Sequence, residues 1–319
     1  MTEQSILELR KIHKVFDQDL LKKAVAAVDD LSCQFPLGQC TGLMGHNGAG
    51  KTTTIRLIFG LMRPDRGEVI FRGHPINRQD KRHIGYMPET NRLPATLNPV
   101  EILRHQLRLY RPDSIPRSHY SAAIENKLKE VGLWSHRQKK VKQMSKGMGR
   151  RVAWAQATIH EPDLLILDEP FSGMDPLGRQ LMSELITQYK TKQKTIILCT
   201  HELGTVNEVC DHLHILNQGK LVYSSVNDTE GPRHAGYQLN LSGCTVQDLS
   251  SRKDQVGVEG WDWHEESGYA VKLWFREYRQ AAQWLEFCLR EGLIVTSFHK
   301  TRGFQEDELL RYFTGDKSA

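Results

Sequence analysis

No stretch of this 319-residue chain approaches the roughly 18 consecutive apolar residues that a membrane-crossing helix needs. The six cysteines, at 33, 40, 199, 210, 244 and 288, form no CxxC pair and no close cluster with histidine. That excludes a zinc-ribbon or dithiol motif and reads as reduced thiols in a cytosolic protein. Repeats and low-complexity tracts are missing too. Neither sign of charge dominates, with 43 Lys and Arg against 38 Asp and Glu, a net +5. So small an excess fits an anionic ligand, a membrane face or an ordinary solvated surface, and does not call for nucleic acid. The start carries acidic residues early with no apolar stretch behind them, unlike a secretory signal. If such a protein works at a membrane, it does so through a partner.

Hydrophobic residues make up 39% and charged residues 25%, a globular composition long enough for one large core or two domains. Short strand patterns occupy residues 6–9, 25–28 and 31–35, and an apolar strand at 39–44 runs into glycine-rich sequence. Residues 52–61 have helical spacing, with Ile55, Leu57, Ile58 and Leu61 on one side. Residues 97–134 are mainly helical, broken by Pro112 and Pro116, and a helix begins at Ser145. Leu164 to Leu167 and residues 195–199 read as strands buried on both faces, with a helix at 177–190 between them. Strands and helices thus alternate over residues 1–225, which predicts an α/β core. A linker is expected at 226–236, followed by a small α+β domain at 237–319, with strands at 237–241, 269–275 and 293–298 and helices at 278–290 and 306–313.

Gly45-His46-Asn47-Gly48-Ala49-Gly50-Lys51-Thr52 fits G-x-x-x-x-G-K-[ST] without exception, between an apolar strand and a helical pattern. Small residues let the backbone curl so that its N–H groups face a phosphate chain at a helix N-terminus. Lys51 reaches toward the β and γ phosphates, the Thr52 hydroxyl takes a place on Mg²⁺, and Thr53 continues the loop into the helix. In Leu164-Leu165-Ile166-Leu167-Asp168-Glu169, an acid at the end of a buried strand suits Mg²⁺, and the next acid suits a general base. His201, just after the strand at 195–200, is placed to donate to a γ-phosphate or to hold a water.

Taken with the residues around them, these motifs resemble the nucleotide-binding domains of ATP-binding cassette (ABC) transporters over about residues 6–225. Glu89, in Ile84-Gly85-Tyr86-Met87-Pro88-Glu89, stands at the Q-loop position. Met144-Ser145-Lys146-Gly147-Met148 stands at the signature, usually Leu-Ser-Gly-Gly-Gln. Ser172-Gly173-Met174-Asp175-Pro176 stands at the D-loop, His201 at the switch histidine, and Phe16 at the aromatic that stacks on adenine. The resemblance implies a P-loop NTPase fold of ABC ATPase type with a helical subdomain at about 90–160, and a small α+β domain after it. It implies catalysis by Lys51, Glu169 and His201. ATP would lie against Phe16, Gly45, Asn47, Gly48, Ala49, Gly50, Lys51, Thr52 and Thr53, and Mg²⁺ against Thr52, Glu89 and Asp168. It further implies a head-to-tail dimer of two copies, in which Ser145 and Gly147 face the ATP of the other copy; the alternative for Ser145 is that it caps its own helix.

Three departures bear on turnover: an ionised Glu89 cannot donate as glutamine does, Lys146 replaces a glycine, and Met148 replaces a glutamine. The overall pattern is similar to bacterial exporter cassettes made as separate chains, which act at the cytoplasmic face of the inner membrane through transmembrane permease subunits. Leu93, Leu97, Val100, Leu103, Leu107 and Leu109 either line the groove for that partner or belong to the core. The tail, residues 306–315, is similar to the accessory domain of the same group, and Trp261, Trp263, Trp274 and Trp284 serve an interface or fill a core there. Two other classes stay open: a non-transport ATPase of the same type, and an ATP-binding switch without turnover.

Overall fold

The computed structural model describes residues 4–16, 25–90, 93–226, 236–245, 249, 261–266, 270–275 and 278–301. The described residues divide into two compact units, one up to Val226 and one over residues 236–301.

In the first unit β1 (Ser5–Phe16) and β2 (Val25–Pro36) form a long hairpin-like pair, and β3 (Cys40–Met44) enters the glycine loop and α1 (Lys51–Ile58). Then come β4 (Arg66–Phe71), β5 (His74–Pro75), β6 (Ile84–Met87), α2 (Pro99–Tyr110), α3 (Tyr120–Glu130) and α4 (Lys146–Thr158). The unit closes with β7 (Leu164–Asp168), α5 (Pro176–Thr191), β8 (Thr195–Thr200), α6 (Leu203–Val209), β9 (His212–Asn217) and β10 (Lys220–Val226). One sheet is antiparallel, in the order β2-β1-β4-β5; the other runs β10-β9-β3-β8-β7-β6, parallel from β9 to β6. A shared core joins them, with Leu7, Ile12, Leu31 and Phe35 of the first sheet packed with Leu43, Ile55, Ile166 and Ile197. All five side chains of β7 and all six of β8 are buried, as an interior parallel sheet requires.

Local differences from the sequence pattern have local causes. Residues 25–28 and 31–35 belong to one strand, because Asp30 takes φ 50° in an irregular stretch of the ladder and the pairing resumes beyond it. Helix α1 stops at Ile58: Gly60 turns left-handed at φ 57°, and Leu61 is left exposed, off the apolar face. Helix α6 is seven residues without a side-chain cap and leaves no sequence signal. By contrast, α2 starts at a full capping box, Asn98 accepting from the Glu101 N–H at 3.0 Å and Glu101 from the Asn98 N–H at 2.9 Å. Of the groove leucines, Leu103 and Leu107 are core, Leu93, Leu97 and Val100 are half-buried, and Leu109 is exposed.

At the N-terminal ends of the parallel strands, Asp163 gathers Arg72, His83 at 3.1 Å and Lys194 at 3.0 Å. Burial pushes its carboxyl up, but the Lys194, Arg72 and His83 contacts outweigh this and hold it below the usual value. The knot ties the antiparallel sheet to the parallel one at the end remote from the glycine loop.

The second unit holds β11 (Gly236–Ser242), β12 (Trp261–Glu266), β13 (Ala270–Phe275), α7 (Tyr278–Arg290) and β14 (Ile294–Thr301). Its antiparallel sheet, in the order β12-β13-β11-β14, covers a core of Leu239, Leu241, Val271, Leu273 and Phe275 closed by Trp284 and Cys288. Trp284 thus fills the core, while Trp261, Trp263 and Trp274 stand on β12 and β13. The strand β12 was not anticipated. Residues 227–235 of the expected linker and the expected helix at 306–313 lie outside the described residues. All six cysteines are buried thiols.

Helix α4 packs on β6 at Gly85, where an added Cβ would collide with the carbonyl oxygen of Ala157 and lie 2.8 Å from Pro162 Cγ. Gly85→Ala is therefore expected to destabilise the first unit by about 1–3 kcal/mol, read as a lowered urea midpoint. An unchanged midpoint contradicts this packing.

Candidate active site

Four strand ends of the parallel sheet meet at one edge. The loop after β3 carries Gly45 to Gly50, the residues beyond β6 carry Glu89, β7 ends in Asp168 and Glu169, and β8 leads into His201. Carboxyl ends of parallel strands are where open α/β sheets present ligands. A cleft of about 410 Å³ opens there, lined by Phe16, Asn47, Gly48, Gly50, Lys51, Thr52, Thr53, Glu89, Asp168, Glu169 and His201. Ala27, His46 and Ser172 line it as well. His46 occupies a free position of the loop motif, Ser172 opens the segment at the D-loop position, and Ala27 comes from β2, where no motif marks it.

The loop is shaped by what surrounds it. Gly50 caps α1 at φ 106°, and a Cβ there would stand 2.6 Å from the carbonyl oxygen of Ala27, so only glycine fits. The turn after β9 holds the loop from behind: Gly219 N–H donates to Ala49 O at 3.0 Å, and Asp29 N–H to Gly219 O at 2.9 Å. Gly45 and Ala49 are the buried side of the curl, and His46, Asn47 and Gly48 its exposed side. Lys51 is 8% exposed and donates its Nζ protons to the carbonyls of Gly45 and, at 3.2 Å, His46. Thr52 is exposed to the cleft.

Asp168 is 6% exposed, with the Tyr86 hydroxyl 3.4 Å from its Oδ2. Burial, reinforced by the negative charges of Glu89 and Glu169, pushes its carboxyl up to about 6, against the opposing pull of Lys51 and the Tyr86 hydrogen bond. Glu169 follows at φ 45°, a left-handed conformation costly for a side-chain-bearing residue. Its Oε1 lies 2.6 Å from His201 Nδ1, and its Oε2 accepts from the Thr200 hydroxyl at 3.2 Å. The contact anchors the imidazole to the carboxylate through Nδ1. The arrangement can hold a triphosphate against backbone N–H groups and one ammonium, with a fixed carboxylate beside it.

Thr52, Asp168 and Glu89 offer only hard oxygen donors to the same cleft. No cage of three or more His, Cys, Asp or Glu side chains occurs among the described residues. Such a sparse set fits Mg²⁺, which binds through one or two carboxylates plus phosphate oxygens and water.

Ser145 and Gly147 are not brought to this cleft. Ser145 caps α4, its hydroxyl oxygen accepting from Met148 N–H at 3.2 Å, and it faces outward. The signature-position Lys146 lies against Gly173 of the segment after Glu169. Arg150, on the second turn of α4, is buried behind the site and had attracted no role from sequence, because its partners are main-chain carbonyls.

The ABC transporter family model matches residues 28–172. An uncharacterized ABC transporter ATP-binding protein of Bacillus subtilis, YhaQ, is 36% identical over 254 residues, 77% of this chain and 80% of that protein. The Nod factor export ATP-binding protein I of Cupriavidus metallidurans is 33% identical over 248 residues, 77% of each chain. The solved ATP binding subunit of an ABC transporter is 30% identical, with a TM-score of 0.62 over 71% of this chain and 92% of that one. The chain spans 65% to 80% of the length of the curated relatives it matches. The chain belongs to the ABC transporter family and is an ATPase cassette of it. Among the described residues no helix is long and apolar enough to cross a membrane.

The raised Asp168 value has a consequence for stability. It lies above the 3.8 of an unperturbed aspartate, so the folded chain holds an extra proton between the two values. Stability falls as pH rises through that window, and the penalty is complete above about 6. Asp168→Asn is therefore expected to stabilise the nucleotide-free protein by about 2–3 kcal/mol at pH 7.5, at 1.36 kcal/mol per pKa unit, and hardly at all near pH 4. Urea denaturation in EDTA at the two pH values reads this; equal midpoints at pH 7.5 contradict it.

Proposed function

We propose that this chain is the ATP-hydrolysing subunit of an exporter, driving separate transmembrane permease subunits from the cytoplasmic face of the inner membrane. The observation that carries the reading is the meeting of Lys51, Asp168, Glu169 and His201 in one cleft with the glycine loop. Relatives named for Nod factor export support the outward direction.

The geometry supports a role for each residue. Phe16 offers a face for the adenine, and the N–H groups of residues 45–53 take the phosphates. Lys51 leaves its two carbonyls for the β and γ phosphates. Thr52, Asp168 and Glu89 hold Mg²⁺, which neutralises charge across the phosphate oxygens. Glu169 orients and deprotonates a water, and His201, anchored to it through Nδ1, keeps the carboxylate aimed.

One protomer supplies only half of a site in this reading. Ser145 and Gly147 begin α4 away from the cleft, so they meet a γ-phosphate only on a second copy, head to tail. The exposed Leu177, directly after the Asp175-Pro176 turn, is the kind of apolar side chain such a face covers. The half-buried Leu93, Leu97 and Val100, with the exposed Leu109, form the surface offered to the permease. Residues 1–225 act as the cassette, and the unit after 237 as an accessory domain.

Glu169→Gln keeps the shape and removes the base. It is expected to lower phosphate release at least 100-fold and to accumulate an ATP-bound dimer, seen by size-exclusion chromatography with ATP and Mg²⁺. Turnover that survives the change sinks the ATPase assignment of Glu169. A variant that stays monomeric with ATP sinks the dimer.

A further inference from the structure

Arg150 is 1% exposed. Its Nη1 donates to the carbonyls of Pro88 at 2.8 Å and Glu89 at 2.7 Å, its Nε to Pro170 O at 3.3 Å, and its Nη2 to Asp168 O at 3.4 Å and to Glu169 O. One planar fork therefore spans the ends of β6 and β7, the two strands that deliver Glu89 and the acid pair. Burying a guanidinium is costly unless its donors are satisfied, and burial lowers its basicity against the opposing pull of Asp168, Glu89 and Glu169. An apolar side chain would fill the same space without that cost.

What the guanidinium adds is position. Glu169 is held at φ 45°, where a side-chain-bearing residue rests only if its surroundings over-determine it. Its N–H donates to Cys199 O at 2.9 Å, and its carbonyl accepts from Arg150. Pinned at both ends, the residue points its carboxylate at His201 and Thr200. The same fork grips the backbone of Glu89, whose side chain is otherwise on an exposed loop.

We infer that Arg150 is a positioning residue for ATP hydrolysis: it fixes the Glu89 loop and the left-handed turn of Glu169 at one separation, so that both carboxylates face the same nucleotide. The inference rests on the roles given to Glu89 and Glu169 under the proposed function.

The test compares full-length Arg150→Lys, Arg150→Gln and Glu169→Gln. Lysine keeps the charge and stem but offers a compact ammonium that cannot bridge both strands. Arg150→Lys is expected to lower kcat roughly 10–100-fold while moving the KM for ATP less than threefold, and Arg150→Gln to lower kcat further. A readout apart from turnover is Mn²⁺ affinity by electron paramagnetic resonance with a non-hydrolysable ATP analogue. It is expected to weaken at least fivefold in Arg150→Lys, while binding of a fluorescent ATP analogue in EDTA stays within twofold. Wild-type kcat and Mn²⁺ affinity in a folded Arg150→Lys overturn the inference. So does a fall in kcat matched by an equal fall in metal-free nucleotide binding, or a failure of both variants to fold, each of which assigns the side chain to structure alone. If Glu169→Gln itself retains turnover, the functional reading falls and takes this inference with it; if only the Arg150 variants retain it, the functional reading stands alone.

Discussion

Three carboxylates, Glu89, Asp168 and Glu169, line one cleft at the edge of a sheet whose strands are closed to water, and burial, reinforced by the other two charges, falls on Asp168. Strand β7 delivers Asp168 from a fully buried run, so the charge arrives where hydration is weakest. The counterweights come from different parts of the chain: Lys51 from the glycine loop, Arg150 from α4, and the Tyr86 hydroxyl from β6. The first unit can be read as a frame that brings these three to one place. Gly85 lets α4 press on β6, and the Asp163 knot locks the strands at their far ends.

The chemistry of the cleft was legible in the sequence where it was encoded by neighbours along the chain. The glycine loop, the acid pair and His201 are each a strand end followed by a short, specific run. What could not be read depends on distance. Arg150 takes its partners 18 to 62 residues away, and they are backbone atoms, which leave no mark in composition. Ala27, brought to the cleft from β2, is unmarked in the same way. The fold shows the same division: the buried parallel strands were plain from their apolar runs, whereas the one-strand continuity of β2 rests on the left-handed Asp30, α6 is short and uncapped, and half of β12 is charged.

The departures from the family pattern also gain a physical setting. Glu89 raises Asp168 along with Glu169, so a carboxylate at this position makes the site more dependent on cations than a neutral amide would. Lys146 lies against Gly173, connecting the start of α4 to the turn that follows the acid pair.

Lys51 reaches back from the first turn of α1 to the Gly45 and His46 carbonyls. The ammonium thereby braces the curl of its own loop from within. Under the proposed function, a phosphate would take over contacts that the ammonium makes to the loop, on a ring of amides already curled. Affinity in such a site reflects the difference between two well-made bonding states, which leaves room for release once the charge at the far end of the ligand has changed.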